Sequence, residues 1–449
     1  MSTVTLTQTR PAADAVSVPA PSGPVAAKAA GPTPTWMRID DEWYDLTHWK
    51  KSHPGGPLIL EQMHGNDATD AFYSLHSAEA AARLKRLPHS KTIPAVLSAR
   101  PPPPPTKAAL AFRAFRAQLA AEGWFERSPF WEVFYALSAY VMAAAGTYAC
   151  FAGYKLVAII LLGFAMQQAG WIGHDYTHGR GAGCKFVGYG ISGLLNAFSR
   201  DWWSNKHNTH HVFTNYIGVD ADIQNDPVFH LFFPEKDQDV FFRKMQHWYF
   251  VPVASMLYFS WRSQSLQCAW AKRNYLELAL FAVNYFWMYQ LGLVVALGSI
   301  YFAGGLVAII VTATHQSEEM IEQDALDAAR DAGHAEVAGT TVEAQPVPSS
   351  YSFCEGQFAT TRDAATSDFF TEWLWGGMQY QLEHHLFPTM PKYYYSRLAP
   401  RVKAFAEANG LSYRVDSQME ILQRNFNTLK FYAADKQDPQ NAPGKKKTQ

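Results

Sequence analysis

Charge is missing from two long stretches of this chain. Between Val133 and Trp171 the only charged residue is Lys155, and between Leu278 and Thr314 there is none. Each stretch has room for two helices of about 20 residues, the length that crosses a bilayer. The first predicts helices over 132–152 and 155–172 with a tight turn near Gly153, and the second predicts two helices divided near Gly298. A helical period continues through 107–127, where Leu110, Phe112, Phe115 and Leu119 fall near one face. Two further apolar pieces, 249–261 with Pro252 and 186–198, are too short to span and read as lying in the membrane interface.

The remaining segments are polar. Residues 1–35, rich in Ala, Pro, Ser, Thr and Val, lack an apolar run of signal-peptide type. They are expected to be a disordered tail, with a plastid transit peptide as the alternative. Residues 36–90 intersperse charged and apolar positions, as a small soluble domain does. The five prolines 101–105 predict an extended, semi-rigid spacer within a linker over 91–106. The Ala/Asp/Glu-rich stretch 318–350 reads as a helix plus a loop, and 431–449 as a C-terminal tail.

Composition sharpens this picture. Only 17% of the 449 residues are charged, against about 25% in an ordinary soluble protein. Yet the mean hydropathy is -0.17, too low for a bundle of spans with short loops. A few spans diluted by sizeable water-facing parts reconcile the two. The net charge of -1 supplies no field for nucleic acid. The four cysteines, at 150, 184, 268 and 354, have no CxxC spacing, which argues against a zinc or disulfide framework and fits a reducing compartment. Four spans would return the chain to its starting side. The middle segment 173–274, with Arg180, Lys185, Arg200, Lys206, Arg243 and Lys244, then shares the cytosol with both termini.

Histidines mark the ends of the spans. His174 and His178 form HDYTH, His207, His210 and His211 form HNTHH, and His384 and His385 follow Gln381 in QLEHH, while His315 closes the fourth expected span. With 16 His in the chain, one H-x3-H arises by chance about half the time, but HxxHH has a chance expectation on the order of 0.02. Residues at i and i+3 or i+4 share a helix face, so each box aims two or three imidazoles at one point. Neutral imidazole suits iron, copper, zinc and nickel. Eight such ligands exceed the needs of one ion, so two metals in one cage are expected. The long apolar helices beside the cage point to an acyl substrate. Metal-bound imidazoles usually donate their second N–H to an acceptor. Asp175, Asp220 and Asp222 are the nearest acids in sequence, unless they lie in solvated turns. Trp202 and Trp203, before the second box, either line a channel mouth or anchor in the interface.

HDYTH, HNTHH and QLEHHLFP resemble the three histidine boxes of membrane acyl-lipid desaturases, over about 107–430. The resemblance implies an all-α integral-membrane domain with four transmembrane helices and a cytosolic helical cap, two non-heme iron ions, and O2 as oxidant. It also implies His315 as an additional ligand. Gln381 in place of His resembles the front-end desaturases, which insert a cis double bond between an existing one and the carboxyl end of a polyunsaturated acyl chain. Gln381 is either a weak ligand or an orienting residue. The wording GHDYTHGRG and WWSNKHNTHHVFTN resembles delta-4 enzymes. The alternatives are a sphingolipid long-chain-base desaturase and a catalytically silent heme electron-transfer protein.

Upstream, HPGG at 53–56 follows an aromatic-rich strand pattern and precedes DATDAFYSLHS. Over 36–90 this resembles cytochrome b5, a small α+β heme domain. The resemblance implies heme b held by His53 and His76; His64, the nearest competitor, is too close to His53 in sequence. Two axial imidazoles leave no open coordination site, so such a heme carries electrons. The implied donor is an NADH-cytochrome b5 reductase, and the implied substrate is an acyl-CoA or a glycerolipid. The fusion and the Lys446/Lys447 pair favour the endoplasmic reticulum over the plastid.

Overall fold

The computed structural model describes residues 34–98, 101–225, 227–234, 239–317, 320–322 and 351–434, with the short paired stretches 336–337 and 347–348. The expectations for residues 1–33, the lysine pair near the C-terminus and most of 318–350 lie outside the described residues.

The N-terminal domain is α+β. Strands β1 (Trp36–Ile39), β2 (Glu42–Asp45) and β3 (His89–Ser90) form an antiparallel sheet in that order. Helices α1 (Leu58–Gln62), α2 (Thr69–Leu75) and α3 (Ala78–Leu84) follow β2 and precede β3. The Ser77 hydroxyl caps α3, accepting the Ala80 N–H. Alternating residues Met37 and Ile39 turn inward and meet Leu75 and Leu84 from the helices.

Helix α4 (Lys107–Ala121) starts where the Thr106 hydroxyl accepts the Ala109 N–H, directly after the proline run. Phe112 and Leu119 are fully buried, but Leu110 turns to solvent, one step off the expected face. The same apolar cluster that fills the N-terminal domain continues through Phe112 and Leu119 into Phe353, Phe387 and Leu398. The small domain is therefore packed onto the larger one.

Three helices are long and apolar enough to cross a membrane: α5 (Pro129–Phe151), α6 (Lys155–His178) and, further on, Leu293–Ala313. Gly153, at φ +91°, makes the turn between α5 and α6, a conformation that favours glycine. After α6 come α7 (Ala182–Gly188), α8 (Arg200–Val212), α9 (Gln246–Ala254), α10 (Leu257–Ala271), α11 (Tyr275–Gln290) and α12 (Leu293–Ala313). Helix α11 has 16 residues, about 24 Å at 1.5 Å per residue, short of a bilayer core. By length, the described residues thus hold three spans where four were expected.

The break in the second apolar stretch lies at Gly292 (φ +78°) instead of Gly298. Gly298 serves close packing: a Cβ there would meet Ile159 Cδ1 at 2.9 Å, so its absence lets α12 approach α6. Helix α9 exposes Trp248 and Val251 and helix α10 exposes Trp270, with Met256 exposed between them, while Phe250, Tyr258 and Trp261 are buried. Beyond α12, Ile321–Glu322 pairs in parallel with Tyr216–Ile217, and Asp363–Ala365 with Val415–Ser417. These pairings and helices Phe353–Thr360, Gln381–Leu386 and Tyr395–Asn409 build the cap over the box-bearing ends of α6 and α12.

Candidate metal centre and heme site

Helical spacing places the histidines. His174 and His178 are one turn apart at the end of α6, and His207, His210 and His211 share a face of α8. The Ser199 hydroxyl accepts the Trp202 N–H and starts α8, while Glu277 from α11 takes the Ser199 hydroxyl (2.7 Å) and the Arg200 N–H (2.8 Å). His315 follows α12, and His384 and His385 come from the 381–386 helix. That helix is pinned by Asp363, whose carboxylate accepts the Leu382 N–H at 2.9 Å.

All eight imidazoles are buried. Their nitrogens converge in two groups, His174, His178, His207, His211 and His384 in one and His210, His315 and His385 in the other, each within 4.8 Å. The His174 and His207 Nε2 atoms are 2.6 Å apart, and His211 Nε2 is 3.1 Å from His207 Nε2. The rings of His211 and His385 stack at 4.1 Å and join the groups. Both nitrogens of His178, and Nε2 of His384 and His385, lack a hydrogen-bond partner. Buried polar atoms are normally paired, so lone pairs left unpaired and facing one another fit a bound cation. An all-imidazole set without thiolate fits iron.

Second nitrogens are held from outside the cage. His385 Nδ1 donates to Gln357 Oε1 at 2.8 Å, His384 Nδ1 to the Tyr395 hydroxyl at 3.1 Å, and His315 Nδ1 to the Thr360 carbonyl at 3.3 Å. His210 Nδ1 is 2.8 Å from Asp220, and His207 Nδ1 is 3.5 Å from Asp222. Asp175 points elsewhere: it accepts from Arg127 (2.9 Å) and the Lys392 N–H (3.2 Å) and tethers α6 to the cap. Gln381 Nε2 sits 2.9 Å from His315 Nε2, and its Oε1 is buried without a partner. Gln357, Tyr395, Thr360 and Asp363 escaped the sequence reading, because none stands in or beside a box. Burial, and then the neighbouring imidazoles, hold His211, His384 and His385 well below the ordinary imidazole range. These rings are therefore neutral, as metal ligands must be. Burial also opposes charge on His210, but the Asp220 and Asp222 carboxylates outweigh it and raise its pKa.

The cage opens into an apolar cavity of about 150 Å³. Trp202, Trp203, Tyr258, Trp261, Val307 and Val311 line it together with His174, His207 and Gln381 of the cage. Trp202 and Trp203 thus line the channel, and the Trp203 ring stacks on His207 at 4.6 Å.

In the N-terminal domain the rings of His53 and His76 face each other with centroids 5.9 Å apart. His53 Nδ1 donates to the Gly56 carbonyl at 2.9 Å and His76 Nδ1 to the Phe72 carbonyl at 3.0 Å. Both donors spent on Nδ1 leave Nε2 of each ring as a lone pair, so the pair fits two axial ligands. Gly56 sits at φ +85° and presents that carbonyl. His64 is committed elsewhere, its Nδ1 accepting the Trp36 N–H at 2.9 Å. Burial and then the Arg180 charge push His76 down to about 3, keeping it neutral.

Comparison with known proteins agrees with this geometry. A fatty acid desaturase family model matches residues 154–417, and a cytochrome b5-like heme/steroid binding domain model matches residues 25–100. A delta-6 fatty-acid desaturase of Caenorhabditis elegans is 31% identical, over 88% of this chain and 95% of its own length. An acyl-lipid 8-desaturase of Rebecca salina is 28% identical over 86% and 89%. A delta-5 fatty acid desaturase of Caenorhabditis elegans is 28% identical over 85% and 92%.

Proposed function

The chain belongs to the fatty acid desaturase family and carries a cytochrome b5-like domain in front, and from that premise we propose a front-end desaturase that acts at delta-4. The observation that carries the reading is the cage of eight buried imidazoles at the end of a tryptophan-walled apolar cavity. His174, His178, His207, His211 and His384 would hold one iron ion, and His210, His315 and His385 a second, with Gln381 beside His315. When bound, the iron pair supplies the O2-dependent removal of two hydrogens from adjacent methylenes of a polyunsaturated acyl lipid.

The chain's own residues do the rest. Trp202, Trp203, Tyr258 and Trp261 exclude water and hold the acyl chain against the cage. Gln357, Tyr395, Thr360 and Asp220 keep a nitrogen of each bonded ring occupied and so fix which nitrogen faces inward. His53 and His76 would hold one heme b in the 36–90 domain, which an NADH-cytochrome b5 reductase would reduce. The 107–430 domain would span the membrane four times. Helix α11 would be the fourth span, its shortfall in length met by local thinning of the bilayer. Both termini and the cage would face the cytosol from the endoplasmic reticulum.

The test is expression in yeast fed individual polyunsaturated acids, with chromatography of the products. A new cis double bond at delta-4 is the expected outcome. A product at delta-5, delta-6 or delta-8 would overturn the position alone. Change confined to long-chain bases would replace the acyl reading with a sphingolipid one.

A further inference from the structure

Arg180 occupies an unusual place. It follows α6 in the turn Gly179-Arg180-Gly181, and Gly181 is at φ +98°. Its Nε donates to the Leu75 carbonyl at 2.6 Å, and its Nη2 donates to the same oxygen. Its Nη1 donates to the Thr177 carbonyl at 3.4 Å. Among the described residues it makes no carboxylate ion pair. A guanidinium has five donors in a rigid fork and ordinarily meets a carboxylate or water. Here the fork is spent on two backbone carbonyls from two domains. The Leu75 carbonyl belongs to the peptide bond that leads into His76, and the Thr177 carbonyl to the one that leads into His178.

We propose that Arg180 is the positioning residue that couples the two centres, joining the His76 backbone to the His178 backbone through one side chain. The inference rests on the reading of His76 and His178 as ligands. The contact has company: Arg113 of α4 bonds Asp70 (2.7 Å) and Asp67 (3.1 Å), and the Thr389 hydroxyl donates to the Ser74 carbonyl at 3.4 Å. These hold the domains together but lead to neither centre. Arg180 alone among these contacts joins a residue next to one histidine with a residue next to the other. Electrons tunnel faster through covalent and hydrogen bonds than across gaps. With heme held by His53 and His76 and iron held by the eight box and flanking histidines, each event would move one electron, the heme iron going from ferrous to ferric as the non-heme pair is reduced. Two events, with two protons, one O2 and two substrate hydrogens, yield one double bond and two waters.

The experiment uses full-length enzyme loaded with heme and iron. Pre-reduced heme is mixed with O2 and acyl substrate, and its reoxidation is followed by stopped-flow absorbance. Hydrogen exchange at 74–77 reports docking separately. R180Q should slow reoxidation roughly 10- to 100-fold while the heme spectrum, iron content and exchange protection stay at wild-type values. R180K keeps the charge but cannot span both carbonyls, and it should be slow as well. Wild-type reoxidation in R180K would make charge the only requirement and overturn the bridge. Slowing accompanied by lost protection would make Arg180 a clamp and overturn it too. If wild-type heme is itself not reoxidised, the reading of the two centres fails with it.

Discussion

The two histidine sites in this chain are oriented by different means. In the N-terminal domain, His53 and His76 are each fixed by a backbone carbonyl three or four residues away. In the desaturase domain, His385 is fixed by a side chain 28 residues away and His315 by a carbonyl 45 residues away. A site oriented by its own loop carries its geometry in a short motif. A site oriented across the tertiary structure depends on residues that carry no motif. The first should therefore resist distant substitution and yield only to changes in its own loop, and the second should do the reverse.

Removing a ligand tests whether the sites are separable. H211A should abolish desaturation, by at least about a hundredfold, and deplete non-heme iron while the heme spectrum stays intact. H76A should remove the heme spectrum and leave iron bound. Optical spectra with metal analysis check both, and cross-loss of the other cofactor would break the contrast.

Distant orientation predicts the next effect. Gln357 Oε1 accepts from both His385 Nδ1 and the Thr214 hydroxyl, and its Nε2 donates to the His211 carbonyl at 2.8 Å. Q357L should weaken iron retention about 10- to 100-fold in chelator competition, with no change in heme.

No side-chain substitution can remove the carbonyls that orient the heme ligands, so the loop itself must be changed. A Cβ at Gly55 would meet His53 Cε1 at 2.9 Å. G55V should displace that ring and weaken heme binding about tenfold, measured by heme transfer to an acceptor protein, with iron unaffected.

The smallest effect is expected at the seam. Asp70 is held by Arg113 at 2.7 Å, yet burial outweighs that partner and raises its pKa to about 6. Because the folded value lies above the usual 3.8, the ionised form opposes docking. Docking should thus be firmest at low pH and weaken as pH rises through about 6. R113A removes the charge that favours ionised Asp70. It should loosen the seam by about 0.5–1 kcal/mol at neutral pH, seen as faster hydrogen exchange in α2, with the difference shrinking below pH 6.

The contrast also explains which features were legible. The turn at Gly153, the boxes and the HPGG motif all depend on neighbours within a few residues, and each stood in the sequence. The length of α11 and the turn at Gly292 did not, because an uncharged run contains no mark of where its helices end. Asp175 looked like a partner for a box histidine because it stands inside HDYTH. Packing turns it instead toward Arg127 and Lys392.

By itself the sequence determined which imidazoles share a helix face within each box, because helical periodicity is a local property. It also determined that a two-histidine domain would precede them. Only the tertiary structure decided how the eight divide into five and three, which side chains hold their outer nitrogens, and that Arg180 reaches across to Leu75. Those outcomes depend on residues as far apart as Leu75 and Arg180, or Thr214 and His385, that meet only once the core has packed. Packing then sets the direction of each side chain, which spacing along the chain does not specify.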